Sequence, residues 1–75
     1  MIRDGIIEVR APMVGTIVDI LVQAGAQVTD DDELLILESM KIQVPIRTPR
    51  AGTVREIRVN VGDTVREDDV LVVLS

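Results

Sequence analysis

The residue with the clearest chemical potential is Lys41, which carries the only side-chain primary amine in the chain. The other seven basic residues are arginines, and a guanidinium stays protonated and is a poor nucleophile, whereas an amine can be acylated. Lys41 and Met40 link two apolar runs in the stretch ILESMKIQV, residues 36–44. We therefore expect any covalent acyl group on this chain to be carried by Lys41. Position alone leaves two alternatives open, namely that Lys41 only promotes solubility and that Met40 fills part of the core.

The composition gives little support to other kinds of catalytic site. The chain has no cysteine and no histidine, so it lacks thiolates, the commonest metal ligand and the usual proton shuttle at neutral pH. It has no aromatic residue, which excludes base stacking and cation–π cages. The net charge of −5 makes nucleic acid and anionic lipid poor partners. No nucleophile–base pair stands out among the remaining groups, so we expect a non-catalytic carrier, binding or structural domain.

The sequence contains no segment that indicates membrane targeting or a metal site. The N-terminal stretch MIRDGIIEVRAP lacks the basic segment and long apolar core of a signal peptide. No apolar run approaches the roughly 20 residues that a membrane-spanning helix needs. The acidic runs TDDDE and REDD are typical of solvated turns, because an EF-hand loop needs alternating acidic ligands, a central Gly and a later Glu. We therefore predict a cytoplasmic domain with no membrane partner and no metal.

The two halves of the chain are repeats of each other at an offset of 37 residues. The stretch PMVGTIVDILVQAGAQVTDDDELLIL, which begins at Pro12, aligns with PRAGTVREIRVNVGDTVREDDVLVVL, which begins at Pro49. Two repeats are too few for a solenoid, which needs about three to bury its faces. We therefore predict one closed, quasi-symmetric domain over residues 1–75, with internal repeats at about 7–38 and 44–75.

Each half is predicted to consist of short strands joined by glycine turns. In GTIVDILV and GTVREIRV the apolar residues are spaced by three and then by two, and the extra residue indicates a β-bulge in each half. A helix is the competing interpretation of VREIRV, but β-branched residues and flanking glycines favour a strand. Short strands at regular spacing indicate an all-β sandwich or barrel without a helix. The predicted strands are about 6–11, 15–22, 27–28, 33–38, 41–46, 52–59, 64–65 and 69–74.

The hydrophobic core of this fold must consist of Val, Ile and Leu, because the chain has no aromatic side chain. Proline cannot donate to a strand ladder, so we expect Pro12, Pro45 and Pro49 at sheet edges or strand ends. The predicted core residues are Val9, Ile17, Ile20, Val22, Val28, Leu34, Ile36, Val44, Ile46, Val54, Ile57, Val59, Val65, Leu71 and Val73.

The repeat places Met40 and Lys41 at the junction of the two halves. The first half ends at Glu38 and the second at Ser75, so we expect the two termini to lie together at the end opposite the junction. A tight hairpin at the junction would hold the Lys41 side chain away from the body of the domain. Two-residue hairpin links usually contain Gly or Asn because their φ angles are positive, and Met-Lys contains neither.

The stretch ESMKI, residues 38–42, resembles the biotinyl-lysine motif Glu-Ala/Ser-Met-Lys-Met of biotin carboxyl carrier domains. The resemblance extends from about residue 7 to the end and includes the family's Ala-Pro-Met-x-Gly opening and Gly-Asp-x-Val turn. Ser39 and Ile42 stand where the family commonly has Ala and Met. The resemblance implies a thumb-less biotinyl domain, whose fold is a flattened eight-stranded β-barrel, or barrel-sandwich hybrid. It also implies that the modified lysine lies on the exposed hairpin between the fourth and fifth strands.

The resemblance further implies a function. Lys41 would receive covalent biotin from a biotin protein ligase, which would recognise Met40 together with Glu38, Ser39 and Ile42. The domain would then shuttle carboxyl groups between the biotin carboxylase and carboxyltransferase components of a biotin-dependent carboxylase, with an acyl-CoA as the expected acceptor.

Two alternatives to a biotin carrier remain open at this point. A lipoyl-type carrier domain has the same fold, but its motif typically has Asp before the lysine, where this chain has Met40. An unmodified barrel-sandwich module for protein interactions is the second alternative, and the sole lysine at the tip disfavours it.

Overall fold

Eight short β-strands in two four-stranded sheets make up the computed structural model, which describes residues 5–75. No helix occurs among these residues, and hence none that could cross a membrane. The all-β prediction is confirmed, although the predicted strands 15–22 and 52–59 already end at Ile20 and Ile57. The strands are β1 (Ile7–Arg10), β2 (Gly15–Ile20), β3 (Gln27–Val28), β4 (Glu33–Ser39), β5 (Ile42–Arg47), β6 (Gly52–Ile57), β7 (Thr64–Val65) and β8 (Val70–Leu74).

The two sheets are related by the same offset of 37 residues that relates the two halves of the sequence. One sheet has the strand order β1-β8-β6-β3 and the other β5-β4-β2-β7, with antiparallel pairing. At this offset, each strand of the first sheet corresponds to the strand in the same position of the second sheet. Each sheet combines strands from both halves of the chain. The sheets enclose one hydrophobic core, which makes the fold a flattened eight-stranded β-barrel. Residues 1–4 of the predicted domain 1–75 lie outside the described residues, and the extent of that domain stays a prediction.

The predicted β-bulges are present at corresponding positions of the two halves. The pairing of β2 with β4 shifts register between Ile17 and Asp19. The pairing of β6 with β8 shifts between Val54 and Glu56. In both strands the extra residue explains why apolar side chains are spaced by three before the spacing of two resumes.

A further bulge, near the start of β4, changes which side chains of that strand are buried. The pairing of β4 with β5 shifts register near the start of β4, so Leu34 and Leu35 are both buried and alternation resumes with Leu37. Ile36 is therefore only partly buried, and the repeat-related Val73 in β8 is too. The core positions predicted for Ile36 and Val73 were wrong, because a strict period of two does not survive an extra residue.

The core contains Val, Leu, Ile and one Ala. Four of its strand residues were not predicted, because the extra residue changes which side chains of β4 and β8 face inward; they are Leu35, Leu37, Val72 and Leu74. The predicted residues Ile20, Val22, Val44 and Ile57 are partly buried and pack against the core. Its buried hydrophobic members are Val9, Ala11, Ile17, Val28, Leu34, Leu35, Leu37, Ile46, Val54, Val59, Val65, Leu71, Val72 and Leu74.

Two buried loop positions, Ala11 and Thr48, were not predicted, and they are related by the repeat. The Ala11 N–H donates to the Asp69 carbonyl oxygen at 2.8 Å, and the Thr48 N–H donates to the Asp32 carbonyl oxygen at 2.9 Å. The Thr48 hydroxyl donates to the Arg50 carbonyl oxygen at 2.6 Å, which satisfies this buried polar group. Each strand end is thereby tied to a turn of the other half.

The prolines lie where a missing N–H does least harm. Pro45 is in β5, which is one of the two edge strands of its sheet. Pro12 and Pro49 lie in connections outside the strands. The predicted placement of all three is confirmed.

Candidate functional site

The hairpin between β4 and β5 has Met40 and Lys41 as its two connecting residues, and Ser39 pairs with Ile42 beneath them. The φ angle of Met40 is +52° and that of Lys41 is +66°. Two consecutive positive φ angles define a type I′ turn, whose twist matches that of antiparallel strands. The link is tight, as the sequence predicts, and Met and Lys take up this conformation although neither is Gly or Asn.

This conformation carries an energetic cost at both residues. The left-handed region brings Cβ of an L-residue close to the following carbonyl oxygen, at roughly 1–2 kcal/mol per residue. The ladder between β4 and β5, which contains six residue pairs from Glu33–Arg47 to Ser39–Ile42, holds the turn in place. The strain therefore lies at the tip, where the pairing from Leu35–Ile46 to Ser39–Ile42 is continuous.

The tip side chains point away from the core. Met40 is 91% exposed and Ile42 is 65% exposed, and Lys41 is also exposed. The alternative that Met40 fills part of the core is therefore wrong. Within the described part of the chain, Lys41 takes part in none of the salt bridges, which all involve arginines. Its amine is available for acylation.

The other two residues of the predicted recognition motif are less accessible. Glu38 and Ser39 are partly buried at the end of β4. Glu38 pairs with Gln43 on one side and with Thr16 of β2 on the other. The structure thus brings all five motif residues to one hairpin, but Met40, Lys41 and Ile42 provide most of its exposed surface.

The acidic runs serve as turn caps. A side-chain oxygen of Asp32 accepts a hydrogen bond from the Thr29 N–H at 2.8 Å, and one of Asp69 accepts from the Arg66 N–H at 2.8 Å. Over residues 5–75, no three acidic side chains are grouped as a metal ion would require. Both runs therefore close equivalent turns of the two halves.

Two open surface depressions lie away from the hairpin. One, of about 430 Å³, is lined by residues that include Arg58, Asp63 and Asp69. The other, of about 370 Å³, is lined by residues that include Leu21 and Gln23. Neither is lined by a residue of the tip, where Met40 and Lys41 are exposed.

Comparison with known proteins identifies the family. The family model described as "Biotin-requiring enzyme", of the biotin/lipoyl type, matches residues 7–74. A curated relative, the biotinylated protein TB7.3 homolog of Mycolicibacterium smegmatis, is 38% identical over 39 residues, which cover 52% of this chain and 55% of the relative. The matched segment thus spans about half the length of that relative.

Solved structures with the same fold include carboxylases and a lipoyl domain. A single-chain, multi-domain long-chain acyl-CoA carboxylase matches with a TM-score of 0.90 and 29% identity, over 100% of this chain and 7% of that one. The urea carboxylase of Kluyveromyces lactis matches equally well with 23% identity, again over 100% and 7%, and shows the fold alone. The lipoyl domain of the 2-oxoglutarate dehydrogenase complex from Azotobacter vinelandii matches with a TM-score of 0.80 and 27% identity, over 92% and 95%.

The family model covers almost the whole chain, and the fold and the hairpin agree with it. Domains of this family are non-catalytic carriers that act within larger enzymes. This chain belongs to the biotin/lipoyl attachment family and is a domain of the biotin carboxyl carrier type.

Proposed function

We propose that Lys41 is the biotin attachment site and that the chain is the carrier domain of a biotin-dependent carboxylase. The observation that carries this proposal is the position of the chain's only lysine, at the exposed tip of a type I′ hairpin. The ESMKI motif and the biotinylated relative support biotin as the attached group.

The residues at the tip fit such a group. Biotin joined through an amide needs an accessible amine and no enclosing pocket, and the exposed Lys41 offers such an amine. Lys41 would hold the group, and the exposed Met40 and Ile42 would offer apolar contacts to the enzyme that attaches it. When bound, biotin supplies a ureido nitrogen that accepts and gives up a carboxyl group.

Attachment requires one acyl transfer to Lys41. The deprotonated Nζ attacks the acyl carbon of biotinyl-adenylate, which a biotin protein ligase would supply. A C–N amide bond forms, the bond between the acyl carbon and the phosphate oxygen breaks, AMP leaves and the amine proton passes to a base or to water. The lysine thereby loses its positive charge. The absence of a second side-chain amine in the chain makes Lys41 the unambiguous side-chain acceptor.

The contribution of the chain to carboxylation would be tethering. A group held on a protruding hairpin reaches two partner active sites at a high effective concentration, provided that the arm and its linkage can span them. The paired β4 and β5 keep the hairpin stiff, so the side chain of Lys41 supplies the local freedom. The partners that we propose are biotin carboxylase and carboxyltransferase components in the cytoplasm. The similarity to a long-chain acyl-CoA carboxylase supports an acyl-CoA as the acceptor.

A lipoyl-type carrier is the second candidate, because a lipoyl domain shares the fold at 27% identity. Met40 distinguishes the two, since lipoyl motifs typically have Asp in this position. We expect biotin ligase to modify the chain and lipoyl ligase to leave it unmodified.

Coexpression with each ligase, followed by intact-mass measurement, tests the proposal. We expect one biotin adduct on the wild-type chain and none on Lys41→Arg, which keeps the positive charge but removes the amine. Far-UV circular dichroism should show that both chains fold. No biotin adduct on the wild-type chain, or an adduct that survives Lys41→Arg, would contradict the proposal, and a lipoyl adduct alone would favour the second candidate.

A further inference from the structure

Gly15 begins β2 at a point where there is no room for a side chain. A Cβ atom built on Gly15 would lie 2.6 Å from the Glu38 carbonyl oxygen and 2.8 Å from Cδ1 of Leu37. Because carbon atoms at these distances overlap with the oxygen and the methyl group, any larger residue would force the two strands apart. Gly15 is not among the described residues with a positive φ, so it is needed for space and not for its backbone conformation.

The contact lies at the base of the candidate hairpin. Glu38 precedes Met40 by two residues and pairs with Thr16, the neighbour of Gly15. In its sheet, β5 is an edge strand whose neighbour is β4, and β4 is joined to the rest of the sheet by β2. Near the tip, the position of both hairpin strands therefore depends on the close approach of β2 to β4 at Gly15.

We propose that Gly15 is a positioning residue for the biotinylation of Lys41, an inference that rests on the function proposed above. The absence of a side chain seats β4 against β2 at Glu38 and fixes the orientation of the two-residue turn. A methyl group at position 15 would push Glu38 outward and release Met40 and Lys41 from their strained conformation. The ligase would then meet the amine in a changed orientation, and displacements of about 1 Å can lower the rate of a positioned reaction by up to roughly 100-fold.

The repeat provides a matched control in Gly52. This glycine is the counterpart of Gly15 at an offset of 37 residues, and Ser75 is likewise the counterpart of Glu38. A Cβ atom on Gly52 would lie 2.8 Å from the Ser75 carbonyl oxygen, which reproduces the backbone part of the clash but not the contact with Leu37. Gly52 begins β6 and is separated from the tip by the connection 48–51 and by β5, whose six residues span about 20 Å at roughly 3.3 Å per residue. A methyl group at Gly52 therefore disturbs an equivalent backbone contact far from Lys41.

The experiment compares the wild-type chain with Gly15→Ala and Gly52→Ala in three measurements. Thermal unfolding followed by circular dichroism reports stability, NMR amide shifts of residues 39–42 report the hairpin, and steady-state kinetics with biotin ligase report modification. We expect both variants to lose stability. Only Gly15→Ala should change the NMR chemical shifts of the amides of residues 39–42. Only this variant should also lower kcat/KM for biotinylation, by roughly tenfold or more.

Several outcomes would overturn the inference. Equal losses of kcat/KM in the two alanine variants would indicate a general effect of stability, and unchanged kcat/KM in Gly15→Ala would remove the positioning role. If Gly15→Ala does not fold, Gly15→Ala/Leu37→Val is compared with Leu37→Val, because valine lacks the Cδ1 atom of the clash and leaves the Glu38 oxygen in place. The same tenfold criterion applies to that pair. A wild-type chain that accepts no biotin contradicts the proposed function instead, whereas the NMR comparison still tests the hairpin.

Discussion

The turn at Met40 and Lys41 differs from the other turns of the molecule that contain a left-handed residue. In those turns the residue with a positive φ is one that tolerates this conformation, Gly because it has no Cβ and Asp because it is a short polar residue that adopts this region more often than most. Met40 and Lys41 have neither property and nevertheless have φ angles of +52° and +66°. The other positive-φ residues over positions 5–75 are Gly5, Gly25, Asp31, Gly62 and Asp68.

The difference separates turns whose residues suit a positive φ from one turn whose residues do not. Gly25 and Gly62 correspond to each other in the repeat, as do Asp31 and Asp68, so both halves use the same solutions for the same connections. Backbone strain that other residues at the same positions would avoid is typically found at functional sites. In this chain the strain coincides with the only lysine, which supports the proposal that Lys41 is the attachment site.

The largest effect is expected when a core side chain of β4, the strand that leads to the strained turn, is truncated. Leu35 is fully buried in β4, whereas the adjacent Ile36 is only partly buried on the outer face of the sheet. Leu35→Ala should lower the free energy of unfolding by about 2–5 kcal/mol, measured by urea denaturation. Ile36→Ala is the matched control and should cost much less. A larger loss in Ile36→Ala would contradict the bulge that places Leu34 and Leu35 together in the core.

The strain itself is tested by replacing the tip with the preferred residues of a type I′ turn. Met40→Asn/Lys41→Gly should raise the free energy of unfolding by about 1–2 kcal/mol, because Asn and Gly adopt positive φ more readily than Met and Lys. Met40→Ala/Lys41→Ala removes the same side chains without relieving the backbone and should give no such gain. Equal stability of the two double variants would show that the turn is not strained.

A smaller loss is expected when a suited residue is removed from the other class of turn. Gly62 has a φ of +97° and no atom within 4 Å of an added Cβ, so Gly62→Ala introduces backbone strain without a clash. We expect a loss of about 1 kcal/mol in the free energy of unfolding. Gly25→Ala, the repeat-related change, should give a similar loss, and neither should slow biotinylation in the folded chain. A selective loss of biotinylation in either variant would contradict the claim that only the turn at Met40 and Lys41 affects modification.

The smallest effect is expected at Ile42, where the biotinyl motif commonly has Met. Its side chain is 65% exposed beside the tip, so a change there should affect recognition more than folding. Ile42→Met should raise kcat/KM for biotinylation severalfold, because the flexible thioether adapts to a partner surface. Ile42→Ala serves as the control and should lower it. An unchanged kcat/KM in both variants would remove Ile42 from the recognition motif.

The sequence predicted the features of the fold and of the site that depend on local residue patterns. The spacing of apolar residues predicted the strands and the bulges of β2 and β6, and the repeat placed Lys41 on a hairpin between the halves. It did not predict the bulge that buries Leu35 in place of Ile36, because four apolar residues in a row leave the inward face ambiguous. The buried Thr48 was missed because its hydrogen bonds depend on loop geometry.

The positioning role proposed for Gly15 could not be predicted from the sequence. Its identity with Gly52 in the repeat was visible, but a contact between β2 and the carbonyl oxygen of Glu38 requires the packed structure. The positive φ angles of Met40 and Lys41 were missed for a related reason. Residue preferences argue against them, and they follow instead from the two-residue length of the link and the pairing of the strands on either side.

The most direct test of the central claim is to locate the modification within the chain. The purified wild-type chain is treated with biotin ligase, biotin and ATP, digested with a protease and sequenced by tandem mass spectrometry. We predict a single biotinyl-lysine at Lys41, in a fragment that also contains Met40. A fragment in which Lys41 is unmodified after full reaction, or biotin on the N-terminal amine alone, would contradict the assignment of the hairpin tip as the attachment site.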